Sequence, residues 1–437
     1  MRRIVLTLVA GLALTSASAK ASDCLSVFDP LQVLTLNLQL SQNDWDTIRK
    51  DTTFEIEVPA TFWADGESGI TVSVRRKRGK AIPSETNPQK VALKIDINEY
   101  VDQEWHGLLK LSLENGAGSF GSRWNPGDID VVKEGMAWVV HRLASGPLGY
   151  GYTVEGEEPP ASAAACAAWV RLNVNGGYRG VYLSAEQRDK QMLKNRGLWT
   201  SGGTWFLEQE VGGTVVEEGD GDSPTMTHLC YSPFKPKKNQ ATCPTPPDAD
   251  PDSTGPEVDL AADLNEWVNM QALLSLCAAD AIVDNGDGLC THGQNVFFVD
   301  FENGQVSQGG RTRMYLPWDL DSVFPPVTDG GIYGRIARNR VTQTPYQTVI
   351  LNHAGFRNQY NNTLLNLTSG PVSALSLHAF LHQLELTPLP AALAEDPYPT
   401  VTGNTADYFD ELRTWFTERI ADIQDQIAVN GPPPPRN

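Results

Sequence analysis

The fold class of the first half of the chain is decided by residues 91–118, which read VALKIDINEYVDQEWHGLLKLSLENGAG. In the two arms of this stretch, 91–101 and 108–118, Leu or a β-branched residue recurs at every second position, which is typical of β-strands. Strand-like runs also fill residues 31–75 (LQVLTLNLQL, FEIEVPATFWA and GITVSVRR). We therefore predict a twisted antiparallel sheet for this half of the chain.

A change of period marks a helix at residues 128–146. Apolar residues recur there every three to four positions, as on an amphipathic helix; they are Val131, Val132, Met136, Val139, Val140 and Leu143. Asp128 or Asp130 is placed to cap the helix, and Gly146 is placed to end it. Residues 167–187 then read AAWVRLNVNGGYRGVYLSAEQ, and Asn-Gly-Gly between apolar runs predicts a hairpin.

The second half of the chain has a different character. Residues 208–258 are acidic, Pro-rich and aperiodic, so we predict an inserted surface loop. Residues 259–430 are dominated by helical patterns around a short hairpin, and 431–437 form a polyproline tail. With a strand-rich lobe at 22–207, this order predicts a two-lobe α+β architecture, in which a cleft between lobes is a common ligand site.

Composition and the N-terminus narrow the class of protein. The chain has 34 Lys+Arg against 53 Asp+Glu, a net charge of -19, which disfavours binding to nucleic acid or anionic lipid. Residues 1–21 combine two Arg, a short apolar run and small residues in A-x-A spacing, which is typical of a cleaved secretory signal peptide. No later run is long enough to cross a bilayer. We expect a secreted or periplasmic protein without a membrane span.

Six cysteines follow the predicted signal peptide, and an even number in an exported chain indicates disulfides. Six cysteines allow 15 pairings. Cys230–Cys243 is the first choice, because it would close a loop rich in Pro and Lys, and Cys277–Cys290 is the second. A zinc site is the disfavoured alternative, since the chain contains no C-x-x-C spacing.

Polar residues on otherwise apolar elements are the candidate functional groups. In chain order they are Lys94, Glu134, Asp287, Asn295, Asp319 and Asp321. Phosphoryl transfer from a nucleotide needs a cation on the phosphates, a carboxylate that holds this cation, hard-oxygen ligands for Mg²⁺ and a base for the attacking hydroxyl. Protein kinases supply these groups in the same order. Each residue also has a structural interpretation: a snorkelling strand Lys, a solvated helix Glu, turn-forming acids and a strand-initiating Asn.

Longer strings give this order its specificity. They are EVPATFW (57–63), RGK (78–80), VALKIDINEYVDQEWHGLLKLSLENG (91–116), KEGMAWVVHRL (133–143), VRLNVNGGYRGVYLSAEQRDKQML (170–193), ADAIVDNGDG (279–288), GQNVFFVDF (293–301) and LPWDLDSVF (316–324). In these strings the chain resembles the CotH family, the spore-coat-type atypical protein kinases, across roughly residues 30–325. The resemblance implies a divergent two-lobe kinase-like fold with an ATP-binding cleft.

The resemblance also implies roles for single residues. Lys94 would contact the nucleotide phosphates, with Lys90 as the other candidate, and Glu134 would pair with Lys94. Asp287 would be the catalytic base, and Trp318 or another aromatic residue would face the nucleotide base. The implied ligands of Mg²⁺ or Mn²⁺ are Asn295 and Asp319, with Asp321 as a further ligand or a supporting group. The glycine-rich stretch at 115–127 either covers the phosphates or is a plain flexible loop.

Two classes of function follow. The first is an exported ATP-dependent enzyme that phosphorylates Ser or Thr of a protein, or that transfers the nucleotidyl group with the same ligands. The second is a secreted or cell-surface binding or adhesion protein that keeps the fold without turnover. The export signal fits the second class, and the full set of Asp287, Asn295 and Asp319 favours the first.

Overall fold

The structure is a computed structural model, and it describes residues 24–77, 90–116, 130–144, 165–187, 189–195, 204–209, 214–217, 277, 296–301, 313–317, 320, 323–324, 327, 332–333, 354–398 and 404–430. For the strands at 204–209, 214–217, 296–301 and 313–317 the description covers the backbone alone.

Seven strands form a closed barrel in the first half of the chain. They are β1 (Leu34–Gln39), β2 (Glu57–Ala64), β3 (Ile70–Arg76), β4 (Leu93–Asp96), β5 (Lys110–Glu114), β6 (Ala167–Val174) and β7 (Gly177–Ala185). The order around the barrel is β1-β2-β3-β4-β5-β7-β6. Neighbouring strands are antiparallel except at the seam, where β1 runs parallel to β6 with Leu36 opposite Leu172.

The alternation of side chains explains why these segments close around a core. In β4, Leu93 and Ile95 are fully buried in the barrel core, and the intervening Lys94 is only partly buried. In β2 the same period of two buries Val58, with exposed residues on either side of it. The predicted hairpin at Asn-Gly-Gly is confirmed: Asn175 and Gly176 both have positive φ and join β6 to β7.

A disulfide joins Cys24, which lies ten residues before β1, to Cys166, which directly precedes β6; these two strands form the parallel seam. This pairing was not among those predicted from the sequence. Cys277 is a buried free thiol, so the predicted Cys277–Cys290 bond is wrong. Cys230 and Cys243 lie outside the described residues.

A second sheet contains four strands in the order β11-β10-β8-β9. They are β8 (Thr204–Gln209), β9 (Thr214–Glu217), β10 (Val296–Phe301) and β11 (Arg313–Pro317). The predicted short hairpin corresponds to β10 and β11, whose Val296 and Pro317 are register partners. The stretch that we predicted to be an irregular insert contains β9 and the end of β8, since Thr-Val-Val at 214–216 favours a strand.

Helices pack outside the barrel and make up most of the described residues in the C-terminal part of the chain. A short helix, α1 (Gln42–Lys50), follows β1. The helix predicted at 128–146 is confirmed as α2 (Val131–Ala144), and α3 (Lys190–Asn195) follows β7. The C-terminal helices are α4 (Ala354–Ser369), α5 (Ala374–Glu385), α6 (Leu389–Ala394) and α7 (Thr405–Asn430). Their apolar faces form one core with α2 and with the outer faces of β6 and β7.

None of the described helices is by itself long and apolar enough to cross a bilayer. The segments Arg357–Ser369 and Ala374–Glu385 meet the length and composition criteria only as a pair, bent by 48°.

The predicted two-lobe kinase-like fold is wrong. The strand-rich half closes into a seven-stranded barrel, where we predicted a twisted antiparallel sheet in one lobe of a two-lobe fold. The physical reason is the pairing of β1: its alternating pattern fits either kind of neighbour, and in the structure it joins β6, more than a hundred residues later, as a parallel strand. A period of two specifies a strand and its buried face, but it does not specify its partner.

Candidate functional site

A row of polar residues crosses the outer face of the barrel, centred on Lys94 of β4. Lys94 lies directly opposite Arg75 of β3 on one side and Ser112 of β5 on the other. Arg75 in turn lies opposite Glu57 of β2. Like charges directly opposite each other on neighbouring strands are destabilising. The repulsion between Lys94 and Arg75 therefore lowers the stability of the fold at this position.

The other cations of this face each have a carboxylate partner. The Arg75 Nε lies 3.5 Å from the Glu57 carboxylate. The Lys110 Nζ lies 3.3 Å from the Asp96 carboxylate. Lys77 forms an ion pair with Glu114, which also accepts a hydrogen bond of 2.9 Å from the Ser112 hydroxyl.

Lys94 differs from its neighbours because no ion pair or hydrogen bond holds its ammonium within the described part of the chain. Burial lowers the pKa of Lys94, and the charges of Arg75, Lys110 and Lys77 lower it further. The carboxylate that acts in the opposite direction is Asp189. The face thus presents a partly buried cation whose charge is incompletely balanced, an arrangement suited to an anion with several oxygen atoms.

Asp189 lies at the start of α3, where its carboxylate accepts hydrogen bonds from the backbone N–H groups of Gln191 (2.9 Å) and Met192 (3.2 Å). Burial raises its pKa, against the effect of these bonds and of Lys110. Because its carboxylate is engaged by the backbone of α3, Asp189 compensates Lys94 from a fixed position and does not form a direct ion pair with it.

Sequence reasoning missed Arg75 and Lys77, which belong to the basic run RRKRGK at residues 75–80. The pleat of β3 separates this run into two groups. Arg76 points to the other side, is 4% exposed, and donates hydrogen bonds to the backbone carbonyls of Arg49 and Asp51. Counting alternate positions in the run would have assigned Arg75 and Lys77 to the face of Lys94.

Lys90, the other predicted nucleotide-binding lysine, is fully buried. Its Nζ lies 3.0 Å from the Asp396 Oδ2, and neither side chain has any exposed surface. In this structure its ammonium is held by Asp396, so Lys94 is the lysine of the two that is placed to contact a ligand.

Glu134, predicted to pair with Lys94, is 5% exposed and lies in the first turn of α2. Among the described residues, the carboxylate that acts on Lys94 is Asp189. The N-terminus of α2 is capped by Asp130, which accepts hydrogen bonds from the Lys133 N–H (2.9 Å) and from the Tyr408 hydroxyl (2.6 Å) of α7. The pairing of Lys94 with Glu134 stays a prediction.

The remaining predicted residues lie outside the described residues; they are Asp287, Asn295, Trp318, Asp319 and Asp321. Their described neighbours are informative. Val296 follows Asn295 in the chain, Pro317 precedes Trp318, and these two strand ends are register partners at one edge of the second sheet. Leu320 is fully buried in the core that contains α7. Val323 and Phe324 of the same string, LPWDLDSVF, are buried as well.

No group of three or more His, Cys, Asp or Glu side chains suited to a metal ion occurs in the described ranges. Neither a model of any protein family nor any curated protein matches this chain.

Proposed function

We propose that this chain is an exported ATP-dependent phosphotransferase in which Lys94 contacts the phosphates of the nucleotide and a protein Ser or Thr hydroxyl accepts the γ-phosphoryl group. One observation carries the proposal: within the part of the chain that the structure describes, Lys94 is the cation of its face without an ion pair to a carboxylate, and it stands among three further cations. A triphosphate would relieve the repulsion between Lys94 and Arg75 and would replace the missing counter-charge.

Export is part of the proposal. The N-terminal pattern of residues 1–21 predicts a signal peptide, and the Cys24–Cys166 bond agrees with an oxidising compartment, where structural disulfides persist.

Two further groups of residues enter by the resemblance to the CotH family alone. Asp287 would accept the proton of the attacking hydroxyl as the bond between the γ-phosphorus and its bridging oxygen breaks. Asn295, Asp319 and Asp321 offer the hard oxygen atoms that Mg²⁺ or Mn²⁺ prefers. A divalent ion held there would supply charge neutralisation at the phosphates.

Binding and transfer are tested separately. Calorimetry of the mature protein with ATP and Mg²⁺ should show binding that weakens at least about tenfold in Lys94→Met, since a charge-assisted contact contributes about 1.5–3 kcal/mol. Lys94→Arg keeps the charge and should retain most of the affinity. Lys50→Met removes a lysine at the exposed end of α1 and serves as the matched control, with unchanged binding. Equal affinity of Lys94→Met and the wild type would contradict the proposal.

Transfer is followed with labelled ATP. Label from the γ position on the protein or on an added protein substrate, lost in Asp319→Asn, supports phosphoryl transfer. Label from the α position alone points to nucleotidyl transfer by the same residues.

The closed barrel favours a second candidate, a secreted or cell-surface protein that binds an anionic partner without turnover. The charged residues lie on the outside of a barrel, and a convex face of this kind is accessible to an extended partner. ATP binding without any transfer of label, or a thermal stability that no nucleotide changes, would favour this candidate over the enzyme.

A further inference from the structure

A buried pair of reactive side chains connects the barrel to the C-terminal helices. The Lys90 Nζ lies 3.0 Å from the Asp396 Oδ2, across a sequence separation of 306 residues. Both side chains are fully shielded from solvent. Asp396 follows α6, and Lys90 precedes β4. This pair plays no part in the function proposed above.

The surroundings fix both reactants. The backbone carbonyl of Lys90 accepts a hydrogen bond of 3.2 Å from the Asn115 side chain. The ring of Tyr182, itself fully buried, has its centre 5.3 Å from the Lys90 Nζ and forms an apolar wall. Gly180 has no side chain on the side of Asp396, which permits the close approach of the carboxylate. Holding two reactants in one orientation without water is the arrangement that accelerates intramolecular reactions.

Each oxygen of the Asp396 carboxylate also has its own backbone donor. The Val181 N–H donates to Oδ2 at 2.8 Å, and the Tyr398 N–H donates to Oδ1 at 2.8 Å. Backbone N–H groups in a site without water stabilise the negative charge that develops when a carbonyl carbon is attacked. The Lys90 amine is suited to attack, because burial lowers its pKa more than Asp396 raises it.

We propose that Lys90 and Asp396 condense to an intramolecular amide bond that locks the barrel to the C-terminal helices. The Lys90 ammonium first gives one proton to Oδ2, and the neutral amine then attacks the Asp396 Cγ. The new bond joins Nζ to Cγ, and Oδ1, next to the Tyr398 N–H, carries the charge of the tetrahedral intermediate. A second proton passes from Nζ to Oδ2, the Cγ–Oδ2 bond breaks, and one water molecule leaves. No oxidant or further reactant is needed.

Mass spectrometry of the purified full chain tests this proposal. After reduction and alkylation of the cysteines, the intact chain should be lighter by one water molecule than the mass calculated for the alkylated chain without the cross-link. Trypsin normally cleaves after Lys90 and releases AIPSETNPQK, residues 81–90. The amide blocks that cleavage, so this peptide should be missing and a branched peptide containing Lys90 and Asp396 should replace it. Full recovery of the 81–90 peptide together with an unchanged intact mass would overturn the proposal.

Variants give a second readout. Asp396→Ala and Lys90→Arg remove one reactant each, so neither chain should lose mass. Asp396→Asn places an amide at the same position, so condensation would release ammonia and leave the identical cross-link. Loss of ammonia from Asp396→Asn therefore supports the reaction, and loss of water from Asp396→Ala would show that another pair is responsible. Under denaturing electrophoresis the cross-linked wild type should migrate faster than Asp396→Ala, since a loop spanning 306 residues stays closed.

Discussion

Gly180 of β7 lies against the carboxylate of Asp396 so closely that a Cβ atom on Gly180 would be 2.3 Å from the Asp396 Oδ1. Gly180 also has a φ of +109°, a conformation that other residues rarely adopt. The backbone of Gly180 and the side chain of Asp396 therefore meet at the junction between the barrel and the C-terminal helices, and no space for a methyl group is left between them. This junction also contains the Arg171–Glu395 ion pair (2.8 Å).

We expect Gly180→Ala to lower the free energy of unfolding by about 2–5 kcal/mol, from overpacking and from the unfavourable φ together. Gly176 is the matched control, because it also has a positive φ but would place a Cβ in open space. Gly176→Ala should cost only the backbone term, about 1–2 kcal/mol. Urea denaturation of both variants measures the difference, and equal losses would show that the contact with Asp396 has no steric cost.

The affinity for ATP should depend on the protonation of Lys94. Burial and the neighbouring cations lower its pKa below the ordinary 10.5, so the amine loses its charge at a lower pH than an exposed lysine does. Binding should therefore weaken as the pH rises from neutral toward 10.5, the ordinary lysine value. Lys94→Arg keeps its charge throughout this range and should show a flatter profile. Calorimetry at a series of pH values measures both, and parallel profiles would assign the titration to another group.

Asp51 should contribute stability that is lost in acid. Burial alone would raise its pKa, but hydrogen bonds from Thr53, Ile56 and Glu55 outweigh burial and lower the pKa below the ordinary 3.8. A lowered folded-state pKa means that the contribution is present above about pH 4 and disappears as the pH falls through the folded-state value. We expect Asp51→Asn to lose about 1–3 kcal/mol of unfolding free energy at neutral pH, and less in acid.

The control for Asp51 is Asp102→Asn, a change at an exposed position. It should leave stability within about 0.5 kcal/mol of the wild type at either pH. A loss in Asp51→Asn that is the same at both pH values would mean that the ionised carboxylate is not the stabilising group.

Removal of the Cys24–Cys166 bond should destabilise the barrel seam. The bond spans 142 residues, and a loop of that length corresponds to about 5 kcal/mol in the chain-entropy description. We expect the double variant Cys24→Ser with Cys166→Ser to show a correspondingly lower melting temperature. Wild-type protein in reductant should approach the double variant, and a double variant as stable as the oxidised wild type would contradict this role.

The elements of the fold could be predicted better than their arrangement. The apolar pattern at 128–146 predicted α2, and Asn-Gly-Gly predicted the turn between β6 and β7. Both could be predicted because they depend on residues close together in the sequence. The pairing of β1 with β6 depends on contacts far apart in sequence, which alternation does not encode. The disulfide was missed for the same reason, since short loops were preferred over a bond to Cys24.

Part of the candidate site was also within reach of sequence reasoning. Lys94 was singled out as a polar residue in an apolar strand, and the structure leaves its ammonium without a carboxylate partner among the described residues. Its neighbours Arg75 and Lys110 come from other strands, so their proximity depended on the register of the barrel. The pairing of Lys90 with Asp396 was not predictable, because a strand pattern gives no information about a carboxylate 306 residues later.

The parallel seam determines when the barrel can be completed. One edge of β1 stays unpaired until β6 has been synthesised and has paired with it, and about 130 residues of chain lie between the two strands. Closure over such a separation is entropically costly and slow. In a chain that emerges from a translocation pore N-terminus first, the exposed edge of β1 is open to pairing with other chains during that interval. A chaperone that covers the edge of β1 on the emerging chain would therefore have its effect on the yield of folded protein more than on its final stability.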